Sequence, residues 1–247
     1  MPRSGLIKMA KKKFFLIIDT ETTQTDKVAD CGVVVTDKQG NIHYEGGFMV
    51  AETYCDAENH PLFHIFGDAN DVFSAASLPA RRARYDAMIA DGRRMVASVA
   101  AINSLLAKIN ARYNPVLTAY NLNFDLGKCA NTGIDLTHFD KRFCLWYAAA
   151  AKWGRNKDFL RFVLENGYLG NRTKTGHVGV QTKADVMAKF LLGPELPDEP
   201  HTALEDARDY ERPILAALVK NTPVSEYMNP TPYSYRNFAA KNLFTVK

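Results

Sequence analysis

Five residues in this sequence have side chains and spacings that could act together: Asp19, Glu21, Asp125, His201 and Asp206. Asp19 and Glu21 end the apolar run Phe14-Phe15-Leu16-Ile17-Ile18, which reads as a strand buried on both faces. Residues i and i+2 of a strand point the same way, so the two carboxylates would be presented together. Like charges beside a core are costly, so either the strand end frays into water or a cation sits there. Asp125 closes Asn121-Leu122-Asn123-Phe124-Asp125, just after a second apolar run. In His201-Thr202-Ala203-Leu204-Glu205-Asp206-Ala207, Thr202 and Glu205 have capping-box spacing, with Thr202 as N-cap. That predicts Asp206 in the second helical turn, with His201 on flexible backbone outside the helix, where a base could swing toward a bound water. Four gathered carboxylates call for divalent cations, and an oxygen-rich set selects Mg²⁺ or Mn²⁺ over Zn²⁺. Two such ions about 3.5–4 Å apart can clamp a phosphodiester, with His201 taking the proton of the attacking water. Each piece has a plain explanation by itself: surface charge, a turn with an N-cap, a helix cap, a solvated loop histidine. Together they have no common structural excuse.

The elements that must position these groups are legible in outline. Val28 to Val35 reads as a second strand, Asp37-Lys38-Gln39-Gly40 as a hairpin turn, and Asn41 to Val50 as the returning strand. Residues 52–80 carry breakers and apolar residues without a clean period, predicting an irregular segment. From Arg81 to Arg112 the pattern is helical, interrupted at Asp91-Gly92, with Val96, Val99, Ile102, Leu105, Leu106 and Ile109 on one face. Pro115 to Tyr120 reads as a further interior strand. Helices are predicted near 143–153 and 158–166, then from a Thr182/Asp185 capping box to Leu192, and finally from Ala203. The whole predicts an α/β protein with one main domain.

The chain of 247 residues is 47% hydrophobic and 23% charged, which suits a globular protein with a full core. A net charge of +4 suits a polyanionic partner without requiring one. Cys31, Cys55, Cys129 and Cys144 form no C-x-x-C pair, which argues against a zinc knuckle or disulfide framework. Lys11-Lys12-Lys13 precedes an apolar run too short for a signal sequence, and no stretch approaches a membrane span, so a cytoplasmic setting is expected.

The three segments Asp19-Thr20-Glu21, Asn121-Leu122-Asn123-Phe124-Asp125 and His201-Thr202-Ala203-Leu204-Glu205-Asp206-Ala207 resemble, in order and form, the motifs of the DEDDh exonucleases. This is the group of proofreading and RNase T-like enzymes. The resemblance spans roughly residues 14–220, and the H-x-A-x-x-D-A form is its most specific part. It implies an RNase H-like fold, a central mixed β-sheet flanked by helices, and a 3′–5′ exonuclease that releases nucleoside 5′-monophosphates with two divalent metals. Asp19, Glu21 and Asp206 would then be metal ligands. Asp125 would hold the second metal, directly or through water, and His201 would be the general base. Thr22 and Thr23 would lie near the terminal nucleotide, and Asn121 beside it. Residues 1–13 are expected to form a basic leader, 14–220 the exonuclease domain with an insertion over 52–95, and 221–247 a C-terminal tail. Gln24 and Thr25 stand where the family commonly has a glycine, and Pro213 interrupts the last helix, where its missing N–H predicts a kink.

Basic residues gather between Lys152 and Lys183, where Arg155 and Lys157 are candidates to hold phosphates and Trp146, Tyr147, Trp153 and Tyr168 to stack on bases. The cluster Arg81, Arg82, Arg84, Arg93 and Arg94 is a second candidate face. The expected partner is nucleic acid, with single-stranded 3′ ends favoured. A catalytically silent nucleic-acid-binding or scaffold module of the same fold is the competing interpretation, and a phosphodiesterase acting on a small nucleotide is a third.

Overall fold

The computed structural model describes residues 12–62, 78–154, 156–172 and 178–222. The leader through residue 11, most of the 52–80 segment (63–77), Arg155 and the tail from 223 lie outside the described residues.

The apolar run at the start forms β1 (Phe14–Thr22), followed by β2 (Val28–Asp37) and β3 (Ile42–Val50) as the expected antiparallel meander. A short α1 (Ala51–Tyr54) and α2 (Leu78–Ala90) precede β4 (Met95–Ala97), α3 (Val99–Tyr113) and β5 (Val116–Ala119). Then come α4 (Leu122–Thr132), β6 (Arg142–Cys144), α5 (Leu145–Trp153), α6 (Lys157–Glu165), a small hairpin of β7 (Leu169–Arg172) and β8 (Val178–Val180), and α7 (Ala184–Leu192). The last helix is composite: α8 (Ala203–Glu205), a π-helical stretch Asp206–Glu211, and α9 (Arg212–Val219). Six strands build one mixed sheet in the order β4-β3-β2-β1-β5-β6, with β1, β5 and β6 mutually parallel. This is the α/β arrangement expected, a central mixed sheet flanked by helices.

β1 is buried on both faces, and its alternation assigns each face a core. Phe15 and Ile17 pack with α5, α7 and α9, while Leu16 and Ile18 pack with α3 and α4. By the same alternation Asp19 and Glu21 belong to the face covered by the last helix. The β1–β2 register slips between Glu21 and Thr22, a bulge of the kind that re-aims side chains beside a site.

Three predictions of local structure are corrected. The segment after Asp91 is not helical at once: Met95–Ala97 pairs in parallel with β3 before α3 begins. Neither capping box forms. The Thr182 hydroxyl oxygen instead accepts from the Trp146 indole N–H (2.8 Å), and Glu205 turns to Arg94, because a buried guanidinium outcompetes a backbone amide for a carboxylate. Pro213 does not break the last helix: the wide turn before it absorbs the missing N–H. The Arg208 carbonyl five residues back accepts instead from Arg212 Nε at 2.9 Å.

Candidate active site

The site lies outside the carboxyl ends of the parallel neighbours β1 and β5, where open α/β sheets commonly bind ligands. A cleft of about 670 Å³ is lined there by Asp19, Glu21, Thr22, Asn121, Asp125, His201 and Asp206, so three distant sequence segments converge. The ligand atoms of Glu21, His201 and Asp206 lie within 4.8 Å of one another.

Each group is placed by identifiable contacts. Asp19 pairs across the sheet with Gly32, and Gly32 with Gly47. These two glycines make a trough. A Cβ on Gly32 would come within 2.3 Å of the Ala203 backbone, and one on Gly47 within 2.7 Å of the Arg94 side chain. The start of the last helix therefore rests directly on β2, which is what brings Asp206 to Asp19. The Ala203 N–H donates to Asp30 Oδ2 at 3.0 Å, and the Thr202 N–H to Asp206 Oδ2 at 3.1 Å. Arg94 is buried and binds Asp30 through Nε (2.8 Å) and Nη2 (3.1 Å), while the same Nη2 reaches Glu205 Oε2 at 2.5 Å. Arg84 donates to the Pro200 carbonyl at 2.8 Å. His201 is therefore not on loose backbone: its neighbours are tied on both sides, and it holds the left-handed conformation, φ 53°. Asp125 enters from α4 and accepts the Thr20 hydroxyl at 2.8 Å. Asn121 also sits at positive φ (75°), a conformation asparagine tolerates better than most residues, and this lets the chain turn from β5 into α4.

The remaining expected contacts divide. Thr23 is fully buried away from the cleft, its hydroxyl closing the loop through Thr25 (3.0 Å) and Lys27 (3.2 Å to O). That loop is tied down where the family pattern has glycine: the Gln24 N–H donates to Pro61 O at 2.8 Å and Thr23 bridges Leu62. Lys157 opens α6 exposed and outside the cleft. Of the Lys152–Lys183 cluster, Lys183 lines the cleft, whereas Lys152 caps the carbonyl of Leu218 at 3.1 Å. Trp146 and Phe124 form apolar cleft walls, and Trp153 is core. The arginine cluster is chiefly bracing: Arg84 and Arg94 hold the third motif, Arg82 binds Tyr54 O at 2.7 Å, and Arg93 pairs with Asp91.

Two further acids, unexpected from the sequence, also line the cleft: Glu199 and Glu211. In an α-helix residues five apart lie about 140° apart around the axis, so Glu211 would face away from Asp206. The π-helical wind, bonded i to i+5, stacks them on one side. No signal in the apolar period shows this; Pro213 marks only that the winding must change.

Crowding and burial leave these carboxyls reluctant to ionise. Burial, joined by Glu211, Asp125, Asp206 and Glu21, pushes Asp19 well above the usual carboxylate range. Burial, aided by Asp30 and Glu199 and opposed by Arg81, raises Glu21 to about 8. Asp206 rises to about 10 through burial and then Glu21, Glu199 and Glu211; Asp125 rises to about 7 by burial, held back by the Thr20 hydroxyl. Asp206 Oδ1 and Glu211 Oε2 are buried with no hydrogen-bond partner. An oxygen-rich donor set with one imidazole, carrying orphaned buried oxygens, fits a hard divalent cation such as Mg²⁺ or Mn²⁺.

No protein-family model matches the chain, and no curated protein matches it. Among solved structures, exonuclease I in complex with an inhibitor aligns with TM-score 0.48 and 16% identity, covering 85% of this chain and 42% of that one. The Escherichia coli exonuclease I complex with an oligonucleotide aligns with TM-score 0.46 and 14% identity (87% and 42% covered). Its zinc-bound complex with single-stranded DNA gives 0.43 and 13% (92% and 43%). The chain thus spans less than half the length of the solved chains it matches. Among the described residues no helix is long and apolar enough to cross a membrane.

Proposed function

We propose that this protein is a metal-dependent 3′–5′ exonuclease that hydrolyses phosphodiester bonds of DNA or RNA, takes single-stranded 3′ ends and releases nucleoside 5′-monophosphates in the cytoplasm. The observation that carries this reading is the convergence of Asp19, Glu21, Asp125, Asp206 and His201 in one cleft, with potential ligand atoms of three of them within 4.8 Å. Polarity and products follow the motif resemblance rather than the geometry.

Asp19, Glu21, Asp125 and Asp206 would hold two divalent cations, which when bound neutralise the phosphodiester and make water more acidic. His201 stands at the same cleft and takes a proton from the attacking water. The water oxygen bonds to phosphorus, the P–O3′ bond breaks, and the departing 3′-oxygen ends protonated. Thr22 and Asn121 border the reacting end, Phe124 and Trp146 offer apolar faces to the terminal bases, and Lys183 offers a cation to the backbone. The braced backbone around His201 lets the imidazole keep its approach without a loop rearrangement.

Labelled single- and double-stranded DNA and RNA, incubated with Mg²⁺, Mn²⁺ or chelator, test this. A 5′-labelled ladder shortening from the 3′ end with metal, and absent for Asp19→Asn, is expected. Metal-dependent nucleic-acid binding with intact substrate in every lane would instead favour the silent module. Cleavage confined to dinucleotides would favour a small-nucleotide phosphodiesterase.

A further inference from the structure

Glu211 is 2% exposed, lines the cleft, and keeps its Oε2 buried without a hydrogen-bond partner. An unpaired buried carboxylate oxygen is costly unless a ligand completes it. The π-helical wind is the device that delivers it there. Five residues after Asp206, an α-helical glutamate would point off the site, whereas i to i+5 bonding puts both carboxylates on the cleft side. Such single-turn winds recur at functional sites, and here the wind sits between a site acid and Pro213.

Glu21, His201 and Asp206 gather their ligand atoms within 4.8 Å, and Glu211 lines the same cleft.

We infer that Glu211 is a fifth carboxylate of the cation site, its orphaned Oε2 completed by a divalent ion held in the cleft. This rests on the metal-dependent reading of the cleft and extends it beyond the residues of the three motifs. A further carboxylate from the π-helical segment suits the oxygen-rich, six-coordinate preference of Mg²⁺ or Mn²⁺, with water filling the remainder.

The test is Mn²⁺ uptake by the full chain, measured by calorimetry and by the electron paramagnetic resonance of free Mn²⁺, for wild type, Glu211→Gln and Asp19→Asn. Wild type is expected to take two ions. Glu211→Gln, which keeps the side-chain volume, should weaken Mn²⁺ uptake by roughly 10–100-fold or more. Two ions bound by Glu211→Gln with wild-type affinities would overturn the inference and leave the proposed function standing. No Mn²⁺ uptake by wild type would overturn the inference and the metal-dependent function together. If Glu211→Gln does not fold, Glu211→Asp gives the same decision: weakened uptake supports ligation, and unchanged uptake overturns it.

Discussion

Arg94 grips Glu205 through a 2.5 Å charge-assisted hydrogen bond, one residue before the site carboxylate Asp206. The same guanidinium is held twice by Asp30, whose carboxylate also accepts the Ala203 N–H. One buried cation thus joins the α2–β4 segment, β2 and the start of the last helix. The geometry of the site's third motif depends on a residue far from it in sequence.

Removing Arg94 would strand Asp30 as a buried charge without its partner. Arg94→Met is expected to destabilise the protein by about 3–5 kcal/mol, as breaking one side of a buried pair does. Arg94→Lys should recover only part of this, since an ammonium cannot span Asp30 and Glu205 with a planar fork. Denaturant unfolding of the two variants checks both statements. A loss below about 1 kcal/mol for Arg94→Met would show that the pair contributes no more than an exposed one.

The raised carboxyls give the metal-free protein an unusual pH dependence. Unfolded carboxyls ionise near pH 4, whereas folded Asp125, Glu21 and Asp206 hold their protons to about 7, 8 and 10. Between those limits the native state binds more protons than the unfolded chain, so stability falls as pH rises from about 5 to 9. Asp37, held below the usual range by His43, Lys12 and Asn41 despite some burial, acts oppositely but only on the acid side. Divalent cations compete with these protons. The rise in Tm on adding Mg²⁺ should therefore grow with pH across the same window, and a metal increment that shrinks toward pH 9 would contradict the cation assignment.

Thr20 supplies the donor that keeps Asp125 from rising further. Thr20→Val preserves shape and deletes the hydroxyl, so Asp125 should hold its proton to higher pH. At pH 7 divalent-cation affinity is expected to fall roughly 10–100-fold, as when an outer-shell hydrogen bond to a ligand is lost. Raising the pH should recover part of that loss. Calorimetric titrations at pH 7 and pH 9 distinguish this from a collapsed site, which pH would not repair.

The sheet and most of the candidate site were legible because they rest on local signals. The run Phe14–Ile18 has the composition of an interior strand, and the acids that follow it stand out against it. What escaped depends on distant partners. Glu205 has capping spacing but lies beside Arg94, and Thr182 has it but lies beside the Trp146 indole. β4 has three residues and pairs only because β3 offers an edge, and the β7–β8 hairpin is as short. Glu211 was hidden because a π-helical wind leaves no trace in an α-helical period. Arg94 looks like part of a surface patch in one dimension, yet it folds inward onto the third motif, while the exposed Arg84 reaches the Pro200 carbonyl just before it.

Gly32 offers the sharpest test of how that motif is seated. A methyl group there would meet the Ala203 carbonyl carbon and oxygen at 2.3 Å and the Leu204 nitrogen at 2.5 Å, all of them backbone. Backbone gives way less readily than a side-chain tip, and this stretch is pinned by the bond from Ala203 to Asp30. Gly32→Ala must therefore push the last helix off β2, at a cost at or above the roughly 1–3 kcal/mol typical of overpacking. Because Asp206 rides on that helix, metal-induced stabilisation should fall as well. Gly127→Ala is the control: its Cβ would meet nothing within 4 Å, and it lies inside α4. Alanine there should stabilise by about 0.5–1 kcal/mol through helix propensity alone. Opposite signs for the two substitutions would show that Gly32 is required for close approach of the helix backbone, and equal, small effects would show that the helix can settle elsewhere without loss.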